Sequence, residues 1–353
     1  MVRWYLRPTA FLDTPIGLDG QAARLAGGLL WHSAYELIEA ADGRRIKRLV
    51  PVAEAADLPD EVQPIIERLA APRAPLQLGS RTIRFDQPQV AAIVNITPDS
   101  FSDGGSHADP ESAAAAGVTA AAEGAALIDV GGESTRPGAE PVWEGDEIAR
   151  VVPVIERLSR AGVAVSADTR KAAVMEAALA AGAAVVNDVA ALLYDDRALE
   201  VVVRAGCPVI LMHAADPRDL HRRAFRADPL LEVYDWLEAR VAAVEAAGVP
   251  RAKIIVDPGV GFGKTLADNL ALLNGLALFQ GLGCALMLGA SRKRMIGALS
   301  NEAPADHRLG GSVALALHGV MQGAQIVRVH DVPETVQALR MWRGLRDQAL
   351  SGG

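Results

Sequence analysis

From Val90 to its end the chain repeats one pattern: a short apolar run, a polar residue, then an alanine-rich stretch with helical spacing. The runs are VAAIVN (90–95), AALIDV (125–130), VAVSAD (163–168), AAVVND (183–188), PVILMH (208–213), KIIVDP (253–258), CALMLG (284–289) and QIVRVH (325–330). Each is short and rich in Val, Ile and Leu, as strands covered on both faces are. Between them lie segments such as PESAAAAGVTAAAEGA, DDRALEVVVRAG and DPLLEVYDWLEARVAAVEAAG, many with an acidic or proline start that favours a helix. Strands that alternate with helices imply a parallel sheet joined by right-handed crossovers. Eight units over about 260 residues match a closed (β/α)8 TIM barrel, whose usual size is about 250. A doubly wound open sheet would carry fewer strands and a single crevice, whereas polar residues here follow nearly every run. The barrel is the expected fold.

A chain of 353 residues has room for that barrel and a small second unit. The spacing divides it into an N-terminal extension, residues 1–74, and a barrel over residues 75–353. The extension shows strand-like WYLRP, a short helix DGQAARLAGG, a mixed WHSAYELIEA and a helix PDEVQPIIERLA, together a small α+β appendage with no catalytic motif. LQLGSRTIRF (76–85) has a Gly-Ser turn between short alternating runs and reads as a hairpin.

Half the residues are hydrophobic and 22% are charged, a soluble globular balance. The net charge of −8 speaks against a nucleic-acid partner, which would want a basic face. No window offers the roughly 18 unbroken apolar residues of a membrane span. MVRWYLRPTAF has two arginines and Pro8 where a secretory signal would have its apolar core, so a cytoplasmic protein is expected. Cys207 and Cys284 each open an apolar run, without basic neighbours; they read as small core residues at the strand bottoms, not as a disulfide.

Function concentrates at the other end of the strands. Asn95, Asp129, Asp168, Asn187, His213, Asp257, Lys293 and Arg328 close the runs or begin the loops after them. Burying so many polar groups costs a few kcal/mol each unless partners satisfy them, so a ligand rich in donors and acceptors is implied. α/β barrels build their sites at this C-terminal rim. Asp188 and Asp195 read instead as helix caps. GVGFGKT is not a phosphate-binding P-loop, because Gly259 and Gly263 are separated by three residues where that loop needs four. None of the seven histidines shows H-x-x-x-H spacing, so a zinc site is not expected.

Two blocks, NITPDSFSDGG and IDVGGESTRPGA, resemble the signature segments of the dihydropteroate synthase family of pterin-binding enzymes, and SRK and RVHD agree with them. The resemblance runs from about Leu76 to the C-terminus. It implies condensation of (7,8-dihydropterin-6-yl)methyl diphosphate with 4-aminobenzoate in folate biosynthesis, in a barrel whose bottom is plugged by the hairpin. Asp257, Asn187 and Lys293 become the pterin readers, with Asp168 alongside; Asp257 suits the paired N–H donors of the 2-amino-4-oxopyrimidine edge. Arg136, Arg328 and His330 become the diphosphate cradle, matching guanidinium forks to phosphate oxygens. Asn95 offers an oxygen to a Mg2+ that bridges the diphosphate. Thr135, Arg136, Pro137, Phe262 and Ser291 are the implied contacts for aminobenzoate or diphosphate, with Met212 in the substrate-binding set and Lys264 orienting its loop.

Asp129 and Asp168 are expected to steady a cation in a dissociative step, and loops 97–109 and 131–143 to close over the second substrate. Family analogy adds a homodimer and competition by sulfonamides. One departure stands out: after the fifth run the family pattern resembles MHxxGxPxxMQ, whereas MHAADPRDLHRRA keeps Met212 and His213 but neither the glycine nor the glutamine. Two other functions share the barrel and the pterin readers. A methyltetrahydrofolate-dependent methyltransferase would not need Arg136, Arg328 and His330, and a non-catalytic pterin-binding paralogue would not turn substrate over.

Overall fold

The structure, a computed structural model, describes residues 2–41, 43–96, 109–223, 225 and 227–351. The extension contributes β1 (Arg3–Leu12), β2 (Ala23–Arg24), β3 (Trp31–Ala41), β4 (Arg44–Pro51) and α1 (Gln63–Ala70). A hairpin follows, β5 (Leu76–Leu78) and β6 (Arg81–Ile83). Next come β7 (Gln89–Asn95), α2 (Pro110–Glu123), β8 (Leu127–Gly131), α3 (Glu144–Arg160), β9 (Val165–Asp168), α4 (Ala172–Ala180), β10 (Val185–Asp188) and α5 (Ala198–Ala205). The chain ends with β11 (Val209–Met212), α6 (Pro229–Ala246), β12 (Ile254–Asp257), α7 (Leu266–Asn274), β13 (Ala285–Leu288), α8 (Arg294–Ala298), α9 (Leu309–Met321), β14 (Ile326–Val329) and α10 (Val332–Ser351).

β7 to β14 close into one barrel of parallel strands, each of the eight apolar runs supplying one. The helices begin where local chemistry dictates. Asp109 and Asp228 cap α2 and α6 ahead of Pro110 and Pro229, and Thr265 with Asp268 forms a reciprocal capping box on α7. Period-two alternation then sorts each strand. Outward residues such as Ile128, Val130, Val186, Val256 and Val327 pack under the helices. Inward residues near the strand starts, including Leu127, Val185, Ile210, Ile255 and Ile326, meet Leu76, Leu78, Ile83 and Phe85 of the hairpin. The hairpin is thus an apolar plug at the N-terminal end of the barrel. Cys207 and Cys284 lie just before β11 and β13, buried and unpaired. Burial pushes the Cys284 thiol up to about 12, so it stays protonated.

The extension differs from its sequence reading in two places. DGQAARLAGG is no helix: it holds the two-residue strand β2 between turns, because glycines flank a run too short to pay for nucleation. WHSAYELIEA, mixed in sequence, is the central strand β3, paired antiparallel with β1 on one edge and with β2 and β4 on the other. Its alternation serves two cores. Leu6 and Leu37 face the extension's own cluster with Val62, Ile65 and Leu69 of the α1 region, whereas Tyr5 and Ile38 join the barrel's largest cluster. Tyr5 meets Tyr234 edge to face at 5.6 Å, and its hydroxyl donates to Asp235 at 2.8 Å. Buried Arg73 donates to the carbonyls of Cys284 (2.9 Å) and Gln280 (2.8 Å), tying the extension to the flank of the barrel. Among the described residues no helix is long and apolar enough to cross a membrane.

Candidate active site at the barrel rim

Moving two residues along an inward-facing strand position turns the apolar floor into a polar rim. Leu127 is followed by Asp129, Val185 by Asn187, Ile210 by Met212, Ile255 by Asp257 and Ile326 by Arg328, each buried or half-buried at the C-terminal mouth. Arg328 is the hub. Its Nε donates to Asp129 Oδ2 at 2.6 Å and its Nη2 to Asp168 Oδ2 at 2.6 Å. Asn187 Nδ2 donates to the same Asp129 oxygen at 3.0 Å, and the Ser166 hydroxyl donates to the other. Asp129 is therefore fully engaged. Asn187 keeps its carbonyl oxygen as an acceptor, and Arg328 Nη1 makes no hydrogen bond among the described residues.

Burial and neighbouring Asp129 push the Asp168 carboxyl up to about 7, against the pull of Arg328. Arg328 is itself held above its ordinary value: burial opposes its charge, but Asp129 and Asp168 outweigh it. A guanidinium clamped by two carboxylates is fixed in position and cannot lose its proton.

Asp257 and Arg328 stand close together at one rim, near enough to influence each other's charge. A Cβ placed on Gly289 would stand 3.6 Å from Asp257 Oδ2 and 3.9 Å from Arg328 Cβ, so this glycine leaves the space between them open. Asp257 Oδ1 accepts from the Gly259 amide at 2.7 Å, which aims the carboxylate. Burial raises its pKa, and the backbone amide, Lys293 and Lys264 oppose that rise. Gly259 is irreplaceable at φ +67°, because a side chain there would run into the His213 carbonyl at 2.1 Å.

The loop after β12 carries the aromatic wall. Lys293 Nζ sits 4.0 Å from the centroid of the Phe262 ring and donates to the Val260 carbonyl at 2.8 Å. Burial pushes Lys293 down to about 8. Lys264 turns into its own loop, donating to the carbonyls of Gly259 (2.8 Å) and Phe262 (3.0 Å) and to His213 Nδ1 (3.1 Å). These bonds brace the loop, and burial pushes Lys264 down to about 7. His213, stacked on Phe225 and pushed down to about 2 by burial, is a neutral support for Lys264.

On the far side, Ser291 Oγ lies 3.1 Å from His330 Nδ1 and accepts from the His330 amide at 3.2 Å. Burial and the adjacent arginines push His330 down to about 3. It is neutral, so the cationic charge of the expected cradle belongs to Arg328 and Arg136 alone. Arg136 is exposed on the loop after β8, flanked by half-buried Thr135 and exposed Pro137; its charge is among those depressing His330. Asn95 Oδ1 and Asp168 converge over Gly131, each 3.4–3.6 Å from where its Cβ would stand. The loop expected at 97–109 lies outside the described residues except for Asp109, which caps α2.

Asp188 and Asp195, read as helix caps, are not N-cap residues: those of α4 and α5 are Lys171 and Arg197, and the two carboxylates brace nearby backbone instead. Asp188 faces outward and accepts from the Ala190 and Leu192 amides, and Asp195 accepts from the Ala172 amide. Sequence reasoning missed the framework behind the rim. Glu133, inside the GGESTRPGA block, accepts from Arg170 Nε (2.9 Å), Lys171 Nζ (2.8 Å) and the Val142 amide (3.0 Å). Burial alone would raise Glu133, but Arg170 and Lys171 hold it below the ordinary range. Lys171 also bonds Glu147 of α3, a fully buried carboxylate whose Oε1 has no partner among the described residues. The signal was present in the adjacent pair Arg170–Lys171, one residue beyond Asp168 in SADTRK.

Comparison with known proteins gives one consistent picture. Residues 91–330 match the model of the pterin binding enzyme family. A dihydropteroate synthase of Neisseria meningitidis serogroup B is 45% identical over 276 residues, covering 76% of this chain and 96% of the relative. The structure of Xanthomonas albilineans dihydropteroate synthase with 4-aminobenzoic acid is 45% identical with a TM-score of 0.72, over 77% of this chain and 98% of that one. That of the Yersinia pestis enzyme with a sulfonamide drug complex is 42% identical with a TM-score of 0.74, over 78% and 100%.

Proposed function

The chain belongs to the pterin-binding enzymes, and within them to the dihydropteroate synthases, and from that premise we propose how its rim residues divide the work. The reaction joins 4-aminobenzoate to the methylene of (7,8-dihydropterin-6-yl)methyl diphosphate. The C–O bond to diphosphate breaks, a C–N bond to the aniline nitrogen forms, and that nitrogen gives up one proton. The single observation that carries the assignment is the closeness of Asp257 and Arg328 on either side of Gly289 at the rim.

Asp257 takes the paired donors of the pterin's pyrimidine edge, and the free oxygen of Asn187 takes a further donor. Met212 lines the floor between them. Lys293 bonds the 4-oxo side. Arg328, fixed by Asp129 and Asp168, presents Nη1 to the leaving diphosphate, joined by Arg136 and neutral His330. The departing group carries the growing negative charge, so these preorganised donors supply most of the stabilisation. The pterin ring can delocalise the positive charge left on the methylene, and the carboxylates of Asp129 and Asp168 favour that cation. Aminobenzoate lies against Phe262, Thr135, Pro137 and Ser291. Its nitrogen is a neutral nucleophile of low basicity, so no dedicated base is assigned.

A Mg2+ fits beside Asn95. Its carboxamide oxygen stands in the opening kept by Gly131, and one neutral oxygen suits an ion that retains waters and phosphate ligands. When bound, it would neutralise diphosphate charge. We place the enzyme in the cytoplasm, in keeping with two buried unpaired cysteines. We also read it as a homodimer, with exposed Met341 and Leu345 of α10 and Met321 of α9 as the apolar contact; sedimentation as a monomer at micromolar concentration would refute this. Sulfonamides compete with aminobenzoate. The deciding experiment is diphosphate release from the pterin substrate, expected only with 4-aminobenzoate and Mg2+ both present. Pterin binding without release would favour a non-catalytic paralogue.

A further inference from the structure

His221 belongs to the β11–α6 loop, where the sequence departs from the family pattern, and no role has yet fallen to it. A tight turn presents it: Asp219 accepts from the His221 amide at 3.2 Å, and Asp219 carbonyl accepts from the Arg222 amide at 3.0 Å. Its Nε2 lies 2.8 Å from the Thr135 carbonyl oxygen. A carbonyl only accepts, so Nε2 carries the proton and donates. The imidazole also lies nearly parallel to the Phe262 ring, with centroids 5.6 Å apart and 16° between planes. The backbone beneath is seated just as closely. A Cβ on Gly263, at φ +59°, would stand 2.4 Å from the Arg222 carbonyl oxygen, so this loop rests directly on the GFGK segment.

One half-buried side chain thus ties three rim loops together, those after β8, β11 and β12. Both of its partners are residues assigned above to the aromatic substrate. We propose that His221 is a positioning and specificity-determining residue for the aromatic amine, setting the width of the slot between the Thr135 loop and the Phe262 ring. The inference rests on the reading that Thr135 and Phe262 contact aminobenzoate. It adds that the gap is held by a donor and a flat ring, in a loop that has neither the glycine nor the glutamine of the family pattern. Among the described residues no hydrogen bond or ring contact joins His221 directly to Asp257, Asn187 or Lys293; the nearest link runs through the Phe262 ring. The two substrates should therefore respond differently to its loss.

The test is steady-state kinetics on the full chain with His221→Ala, His221→Gln and His221→Phe, varying each substrate in turn. His221→Ala should raise KM for 4-aminobenzoate roughly tenfold, the size of a lost hydrogen bond together with a ring contact. KM for the pterin diphosphate should stay within about twofold, and kcat within about threefold, of wild type. His221→Gln keeps a donor and His221→Phe keeps the flat ring, so each should recover part of the loss. The ranking of ring-substituted aminobenzoates should shift in all three. An unchanged KM for aminobenzoate in His221→Ala would overturn the proposal, and so would equal rises for both substrates, which would mark general damage to the rim. Absence of turnover in wild type would instead refute the synthase reading.

Discussion

The two ends of the barrel are built from the same strands and hold opposite chemistry. At the bottom, Leu127, Val185, Ile255 and Ile326 close on the hairpin side chains Leu76, Leu78, Ile83 and Phe85. Two residues further along, Asp129, Asn187, Asp257 and Arg328 face an open mouth. The bottom is satisfied by contact alone and contributes stability. The mouth is a set of charges fixed against each other, with donors and acceptors left over for a ligand. One barrel can hold both because successive inward positions lie about 6.6 Å apart along a strand, enough to separate an apolar layer from a polar one.

Substitutions can break that comparison or sharpen it. The largest effect belongs to the plug: Phe85→Ala should lower stability by about 3–5 kcal/mol, read from denaturant unfolding, while the folded fraction keeps its wild-type kcat. A loss of kcat per folded molecule would show that the two ends are coupled. Next comes the framework behind the mouth. Lys171→Met leaves buried Glu133 and Glu147 without their shared cation and should cost about 3 kcal/mol of stability, together with activity. It is a rim-side change expected to register in both measurements. Arg328→Ala should lower kcat/KM by on the order of 2 kcal/mol, roughly thirtyfold, and should also lower the melting temperature, because Asp129 and Asp168 lose their shared cation. Wild-type rates in that variant would remove Arg328 from the site.

The smallest effect is a pH dependence. Asp168, pushed up to about 7, is protonated below that pH and then loses its pairing with Arg328. In the free enzyme kcat/KM should therefore rise with pH through about 7, leaving about a tenth of the plateau at pH 6. Lys293, pushed down to about 8, loses its charge above that pH, so the profile should fall again on the alkaline side. Asp168→Asn should remove the acid limb and Lys293→Met the alkaline one. A flat profile between pH 6 and 9 would contradict both assignments.

Where the chain follows a repeating rule, the sequence was enough. Eight apolar runs became eight strands, LQLGSRTIRF became the plug, and the polar residues ending the runs reached one rim. Reading failed in the extension because WHSAYELIEA buries both faces, one against the barrel and one in its own core, which erases simple alternation. It failed again at His330, legible as a histidine beside Arg328 but not as a neutral one. That neutrality arises from burial and from the charges of Arg328, Arg292 and Arg136, the last two distant in the chain.

Spacing decided the barrel and its polar rim, and the two motif blocks carried the likeness to pterin-binding enzymes, because strand period and motif are local properties of the chain. Only the folded molecule decided that Arg328 is clamped between Asp129 and Asp168, that Glu133 is held by Lys171, and that His221 bridges Thr135 to Phe262. Those contacts join strands and loops far apart in sequence. Their electrostatics depend on burial and on distances of a few ångströms, which exist only once the barrel has closed.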